Sequence, residues 1–401
     1  MRRLLLPLAL AACAPSLPPA IGDPLPAQAL PPALDDIGTL AKICGEARML
    51  ALGQPGPGAH EQSLLVHRLF KHLSERSGFT GLALTADATA VTHLDAYVQG
   101  AAVDVDAALL GLQDRDLSTA ELRELLTWAR ERNLAGQTPP LRVFGLDPRD
   151  PDAAAVLVLE YLARVDPQYV PKARSLLAGE QQLGAEAVLA RLDQGRDAMV
   201  AASAPQAWAS ARQQAELVAQ ARRMSESWEF EAGEFARARN AEWALGQLGP
   251  RGKLLVWADN LEVAAEVPGA APVMGDFLRQ WLGGDYRAIA VSFAGGSVLV
   301  ARDAQNLCAA PLPPPRPGSL DAALAAPGLA LVDLRSAPHP ALLRAQRLRG
   351  FSGARAEDRR LRPAIAFDAI LNLPRVTAAQ PLGAGMHAAM YANGPCYIIL
   401  E

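Results

Sequence analysis

Residues 48–75 read RMLALGQPGPGAHEQSLLVHRLFKHLSE: a short apolar run, a loop of glycine and proline, then apolar residues at helical spacing. The run 48–53 has the length and near-continuous apolarity of a strand buried on both faces, and 61–75 reads as an amphipathic helix packed against it. A strand that turns straight into a helix is half of a βαβ unit. Working outward, the same alternation recurs. Apolar runs at 81–84 (GLAL), 141–146 (LRVFGL), 254–258 (LLVWA), 288–292 (AIAVS) and 329–334 (LALVDL) read as further buried parallel strands. Helical patterns lie at 88–98 and 118–133, the second opening Ser118-Thr119-Ala120-Glu121 in the manner of a capping box. The expected fold class is α/β, a mostly parallel sheet flanked by helices. From about 151 to 248 strand signals vanish and charged helical turns take over, so a helical insertion is expected there. Residues 311–317 (PLPPPRP) read as a stiff surface loop.

The 401 residues carry 38 Lys+Arg against 42 Asp+Glu, a formal net charge of −4, which leaves no electrostatic footprint for a polyanion. Nucleic acid is therefore not an expected partner. Six histidines and four cysteines are too few for a disulfide scaffold or a zinc-finger array. The N-terminus carries an address: Met1-Arg2-Arg3, an apolar run from Leu4 to Ala12 broken by Pro7, then Leu10-Ala11-Ala12-Cys13. The run is too short to span a bilayer, which takes about 20 apolar residues. It reads as a signal peptide over 1–12 with Cys13 as the lipidated first residue of the mature chain, in the pattern of a bacterial lipoprotein. Ala14 in place of an aspartate favours the outer membrane, facing the periplasm. Residues 13–34 then form a Pro/Ala-rich tether, and 35–401 form the folded domain. In an oxidising compartment Cys44, Cys308 and Cys396 remain. A Cys308–Cys396 bridge is expected because both lie in loop-like or terminal segments.

Sites in open α/β sheets gather beyond the carboxyl ends of the strands, which nominates residues 54–60, 85–87, Asp147 and 259–262. The loop Gly53-Gln54-Pro55-Gly56-Pro57-Gly58 has neither a GxGxxG pattern nor a Lys-Ser/Thr ending, and its prolines remove backbone donors, so it is a poor phosphate cradle. His60 follows on the same loop as a candidate base. His67, His72 and His93 fall on helical patterns and read as structural; His339 and His387 read as loop residues. Asp87, Asp147, Asp259 and Glu262 would face one cleft. Such oxygen ligands suit Mg²⁺ or Ca²⁺, but no compact calcium loop is present, and solvation or pairing of Asp259 and Glu262 with Arg237 or Arg239 is the simpler expectation. No metal and no cofactor is expected.

Taken in order, the segments ALGQPGPGAHEQSLLVHRLFKHLSERSGFTGLAL, LDAYVQG, LLTWARERN, LRVFGLD, FARARNAEWAL, GKLLVWADNLEV, MGDFLRQWLGGDYRAIAVSF, LALVDLR and FDAILN resemble the erythromycin esterase family over roughly residues 37–382. The resemblance implies a sheet core with a helical insert and a cleft over the strand ends, in hydrolases whose histidines and a glutamate activate water against a lactone. Against that pattern, the glutamate and histidine of the first loop become Gln54 and Pro57. The two histidines after the Trp257-Ala258 strand become Asp259 and Glu262, with Asn260 kept between them. The first-helix arginine position falls on Val66, the glutamate after the second strand on Thr85, and an Arg-Asp pair on Gly233 and Glu234.

A general base must take a proton near working pH and reach the attacking water. Gln54, Pro57 and Val66 cannot do so. Two readings follow. One is a lipid-anchored envelope protein, held to the membrane through Cys13, that has lost the family's catalysis and binds a small molecule or an envelope protein. The other is an ester or lactone hydrolase, or a metal-dependent enzyme, built on the acids at the same strand ends. The candidate cleft for both is His60, Asp87, Asp147, Asp259, Asn260 and Glu262.

Overall fold

The computed structural model describes residues 24–25, 38–45, 47–112, 114, 116–179, 182–227, 230–301, 306–317, 319–325, 329–335, 346–352, 355–391 and 394–399. The expected signal peptide, the lipidation site Cys13, most of the tether and His339 lie outside the described residues. The first part of the chain forms β1 (Pro24–Leu25), α1 (Gly38–Cys44), β2 (Met49–Gln54), α2 (His60–Arg76), β3 (Phe79–Asp87), α3 (Val91–Val98), α4 (Val105–Leu110), α5 (Ala120–Leu134) and β4 (Arg142–Asp147). Helices alone follow: α6 (Pro151–Val165), α7 (Val170–Leu177), α8 (Gln182–Gln194), α9 (Arg196–Ala201), α10 (Pro205–Ser227) and α11 (Phe230–Gln247). The chain then re-enters the sheet through β5 (Lys253–Asp259), α12 (Asn260–Val263), α13 (Met274–Leu282) and β6 (Tyr286–Phe293). The last third holds β7 (Ser297–Ala301), β8 (Asn306–Pro311), α14 (Leu320–Leu324), β9 (Leu329–Asp333), β10 (Gln346–Ser352), β11 (Arg355–Leu361), α15 (Pro363–Ala366), β12 (Ala369–Leu373), β13 (Ala384–Tyr391) and β14 (Gly394–Ile399).

The main sheet has the order β1-β9-β12-β6-β2-β5-β3-β4 and is parallel from β12 to β4. Both faces are covered, which is why its strands read as continuous apolar runs. Leu50, Leu52, Leu82, Leu84, Trp257 and Val291 face α2 and α5, whose Leu65, Leu69, Phe70 and Leu122 complete that layer. Met49, Ala51, Val256, Ala258, Ala288 and Ala290 face α11 and α13, and so many alanines let those helices lie close. The helices between β4 and β5 carry a core of their own around Val158, Leu162, Val188, Leu192 and Val218.

Four expectations are corrected. The run 329–334 is not a parallel strand: β9 pairs antiparallel with β12. The chain passes through the antiparallel pair β7–β8 before reaching the sheet's edge, and five apolar residues carry no mark of direction. Within the tether, Pro24 and Leu25 pair with Ala330 and Leu329 as a further edge strand. The C-terminal tail is not loop. β13 and β14 join β8 and β7 in a second sheet, so His387 lies on a strand, and Cys308 on β8 stands opposite Cys396 on β14. Cys308 is disulfide-bonded, while Cys44 is a buried free thiol. Finally, α5 is capped by Thr119, whose hydroxyl accepts from Leu122 N–H at 3.3 Å, and not by Ser118. Glu121 is engaged elsewhere, as described below.

Candidate functional site

The carboxyl ends of β4 and β5 and the middle of α11 meet at one guanidinium. Arg237 on α11 donates to Asp147 at 2.5 Å and to Glu234 one turn back, and lies 3.2 Å from Glu262. Glu234 is only 1% exposed and also accepts the Met274 N–H at 2.9 Å, which ties α11 to the start of α13. Asp147 takes a second cation, Arg149, at 2.6 Å, and Arg149 reaches on to Asp114 at 3.2 Å and to the Thr85 carbonyl at 3.3 Å. Three acids from three elements therefore share one half-buried cation. Burial pushes the Glu234 and Glu262 carboxyls above their ordinary range, opposed by Arg237. For Arg237 desolvation is outweighed by its three acids, which hold it firmly protonated.

Asp259, the residue at the tip of β5, caps α12. Its Oδ1 accepts the Leu261 N–H at 2.8 Å, and Glu262 returns the contact by accepting the Asp259 N–H at 3.0 Å, a reciprocal capping box. Burial, with Glu262 and Glu234 adding repulsion, pushes the Asp259 carboxyl up to about 7; the Leu261 N–H and Arg359 on β11 pull the other way. An aspartate with that value titrates in the range where general bases work.

Of the acids expected in one cleft, the structure brings Asp147, Asp259 and Glu262 together; Asp87 lies opposite Asp147 across β3 and β4, but its carboxylate is spent on backbone donors. Asp87 accepts backbone N–H groups from Ala90, Arg149 and Asp150 at 2.7–3.1 Å, stapling the loops after β3 and β4. His60 is elsewhere. It opens α2 with Nδ1 2.6 Å from Oε1 of Glu121, a carboxylate almost wholly buried. Asn260 is structural: its amide donates to the Val291 carbonyl at 2.7 Å and accepts the Val291 N–H at 3.0 Å. In this way it stands in for the strand partner that β6 lacks on that side once its pairing with β2, from Met49 to Leu52, has ended. Gly53 makes room for it, since a Cβ there would lie 2.2 Å from Asn260 Oδ1. Gln54 ends β2 opposite Asp259, Pro57 lies in the following bend, and Val66 is buried in the core. Arg239 pairs with Glu242 and not with the site.

A missed feature lies beside His60. The segment 376–382 straps the starts of α2 and α5 with one device used twice. His60 N–H donates to Thr377 O and Ala120 N–H to Gln380 O, while the Thr377 and Gln380 N–H groups donate to the carboxylates of Glu61 and Glu121. Each acid sits second in its helix, where negative charge suits the dipole. The glutamate that resembled a capping-box member instead grips the strap.

An open cleft of about 660 Å³ adjoins the Arg237 cluster, walled by Asp147, Pro148, Arg149, Ala221, Met224 and Arg237. Among the described residues no group of three or more His, Cys, Asp or Glu side chains is placed to hold a metal ion, and the cation among these acids is Arg237 itself. The sequence model of the erythromycin esterase family matches residues 74–376. The chain belongs to the erythromycin esterase family. Among solved structures, it is similar to a protein from Bacillus cereus, at 22% identity and a TM-score of 0.78, covering 90% of this chain and 96% of the other. It is also similar to a succinoglycan biosynthesis protein, at 19% identity and a TM-score of 0.76, covering 89% and 95%. A third likeness is to a mutant of the erythromycin esterase EreC in its open conformation, at 18% identity and a TM-score of 0.69, covering 89% and 98%. At these identities the likeness is one of fold.

The residues that carried the family resemblance hold the erythromycin esterase architecture together. Asn133 bonds Leu141 N–H and the carbonyls of Val98 and Leu141, fixing the entry to β4. Arg130 closes the end of α3 through the carbonyls of Tyr97, Gly100 and Ala101. Asn240 ties α10 and α11 to the Leu146 carbonyl. Asp368 accepts the Ala288 N–H and pairs with Arg279 and Arg287 at the opposite end of the sheet from the cleft.

Proposed function

We propose that this member of the erythromycin esterase family acts at the cell envelope by binding, carried on a lipid attached to Cys13, and does not hydrolyse esters with the family's bases. One observation carries the reading: the acids at the strand ends are spent inside the fold, Asp147 and Glu262, together with Glu234 of α11, on Arg237, and Asp259 on its helix cap. Gln54 and Pro57 take the loop positions where the resemblance calls for a proton acceptor. The adjoining cleft offers an apolar wall from Ala221, Met224 and Pro148 beside Arg149, the chemistry of a site for a small amphiphilic ligand. A second reading, an active hydrolase, is favoured by Asp259 alone, whose carboxyl at about 7 suits a general base.

Purified protein, with Asp259→Asn and Glu262→Gln as controls, is assayed against p-nitrophenyl esters and macrocyclic lactones. The binding reading expects no turnover above the uncatalysed rate. Turnover lost in both variants would replace it with the hydrolase reading. Growth with an alkyne-tagged fatty acid tests the anchor: label is expected on the full-length protein and absent from Cys13→Ser, and an unlabelled wild type refutes it.

A further inference from the structure

We propose that the groove between α10, α11 and the edge strand β4 is a second binding site, for a short neutral oligosaccharide. Two cavities run together there. The first, of about 310 Å³, is walled by Phe144, Trp243, Arg142 and the glutamines of α10; the second, of about 370 Å³, lies by Trp208 and Arg196. Gln206 and Gln247 line both, so they mark the join. Each half repeats one theme, an aromatic ring with an arginine over it: Arg142 stands 5.4 Å from the Phe144 ring centre and Arg196 5.1 Å from that of Trp208. Trp243 meets Phe144 edge to face at 5.9 Å.

The chemistry selects a polyhydroxylated, uncharged chain. An amide both donates and accepts from one side chain, as a sugar hydroxyl does, and the half-buried Trp243, over whose ring no cation stands among the described residues, offers an apolar surface to the C–H face of a sugar ring. Gln206, Ser210 and Gln247 are exposed on the rim, and their side chains make no hydrogen bond among the described residues. In the first half the ionic pair in the wall is self-neutralised, Asp95 gripping Arg142 through both oxygens at 3.0–3.1 Å, and in the second half Arg196 and Asp197 line the wall together, one charge of each sign. Asp95 also takes the outward Val143 N–H at 2.9 Å, which removes a backbone donor that an extended peptide would need in order to add to β4. Two ring-sized cavities in a row fit a chain better than a single ring.

This site is separate from the Arg237 cleft. The buried amides of Gln213, Gln220 and Asn240 stand between them, Asn240 Oδ1 accepting from both glutamines at 2.8 and 3.1 Å. The test titrates the full chain with cellotriose, maltotriose and chitotriose, followed by tryptophan fluorescence, with glucose and a neutral Ala/Ser hexapeptide as comparators. At least one trisaccharide is expected to give a saturable change, and glucose to bind at least ~10-fold more weakly. Gln206→Ala with Gln247→Ala, two exposed changes that spare the core, should weaken trisaccharide binding by about 10–30-fold, as two lost hydrogen bonds would. Arg149→Ala should leave it unchanged, which separates this site from the strand-end cleft. No saturable response to any trisaccharide at millimolar concentration, an undiminished response in the double variant, or a response to the peptide alone overturns the proposal.

Discussion

Arg237→Ala removes the cation shared by Asp147, Glu234 and Glu262, and its cost can be worked from what each acid keeps. Asp147 retains Arg149 at 2.6 Å, Glu234 retains the Met274 N–H at 2.9 Å and Glu262 retains the Asp259 N–H at 3.0 Å. Removing one partner of a buried ion pair costs about 3–5 kcal/mol, and the surviving bonds place this case near the lower end, about 3 kcal/mol at pH 8. The pH dependence has a definite sign. Burial already lifts Glu234 and Glu262 above the ordinary carboxyl value, and Arg237 opposes that lift. Without it they rise further. A carboxyl whose folded value lies above its unfolded one, about 4.3 for glutamate, weakens the fold fully above the folded value and progressively less as the pH falls toward the unfolded one. The loss in Arg237→Ala should therefore shrink between pH 8 and pH 5, and Glu234→Gln added to it should recover part of the pH 8 loss. Urea unfolding followed by tryptophan fluorescence at both pH values reads the difference. A loss below about 1 kcal/mol, or one equal at the two pH values, refutes the shared-cation account.

Three further outcomes are expected. Asp259 titrates near 7 when folded, so the wild type should gain stability as the pH falls from 8 toward 4; Asp259→Asn, which still caps α12, should flatten that slope in pH-dependent unfolding curves. Gly53→Ala should cost about 2–4 kcal/mol by expelling the Asn260 amide from Val291, and on an Asn260→Ala background the same change should cost far less, a coupling that a double-mutant cycle measures. Glu121→Ala should free the Gln380 N–H and the His60 contact and speed limited proteolysis within 376–382; unchanged cleavage there would count against the strap.

The main strands and helices were legible because buried parallel strands and amphipathic helices write their periods locally. The run at 48–53 became β2 and the pattern at 61–75 became α2. β13 was not legible, because a segment dominated by alanine, glycine and methionine carries weak strand preference; β14 carries a short strand signal in Tyr397, Ile398 and Ile399 that the reading passed over, and its pairing with β8 supplies the order. The capping box at Ser118 misled because Glu121 had a better partner 259 residues away in the strap. Pairing of Glu262 with Arg237 was open to the sequence as one option. That Glu234 and Asp147 share the same guanidinium was not, because nothing local links β4 to α11.

The sequence by itself determined the alternation of strand and helix and the family, both of them properties of residue type and short-range spacing. Only the tertiary structure decided what the remaining acids do. Asp147 and Arg237 are 90 residues apart, and their contact depends on α11 packing across the end of β4. The same spatial question sent Asp87 to a loop staple, Asn260 to the edge of β6 and His60 to Glu121. A carboxylate's chemistry follows from the charges and backbone donors that surround it, and those neighbours are set by sheet order and helix docking.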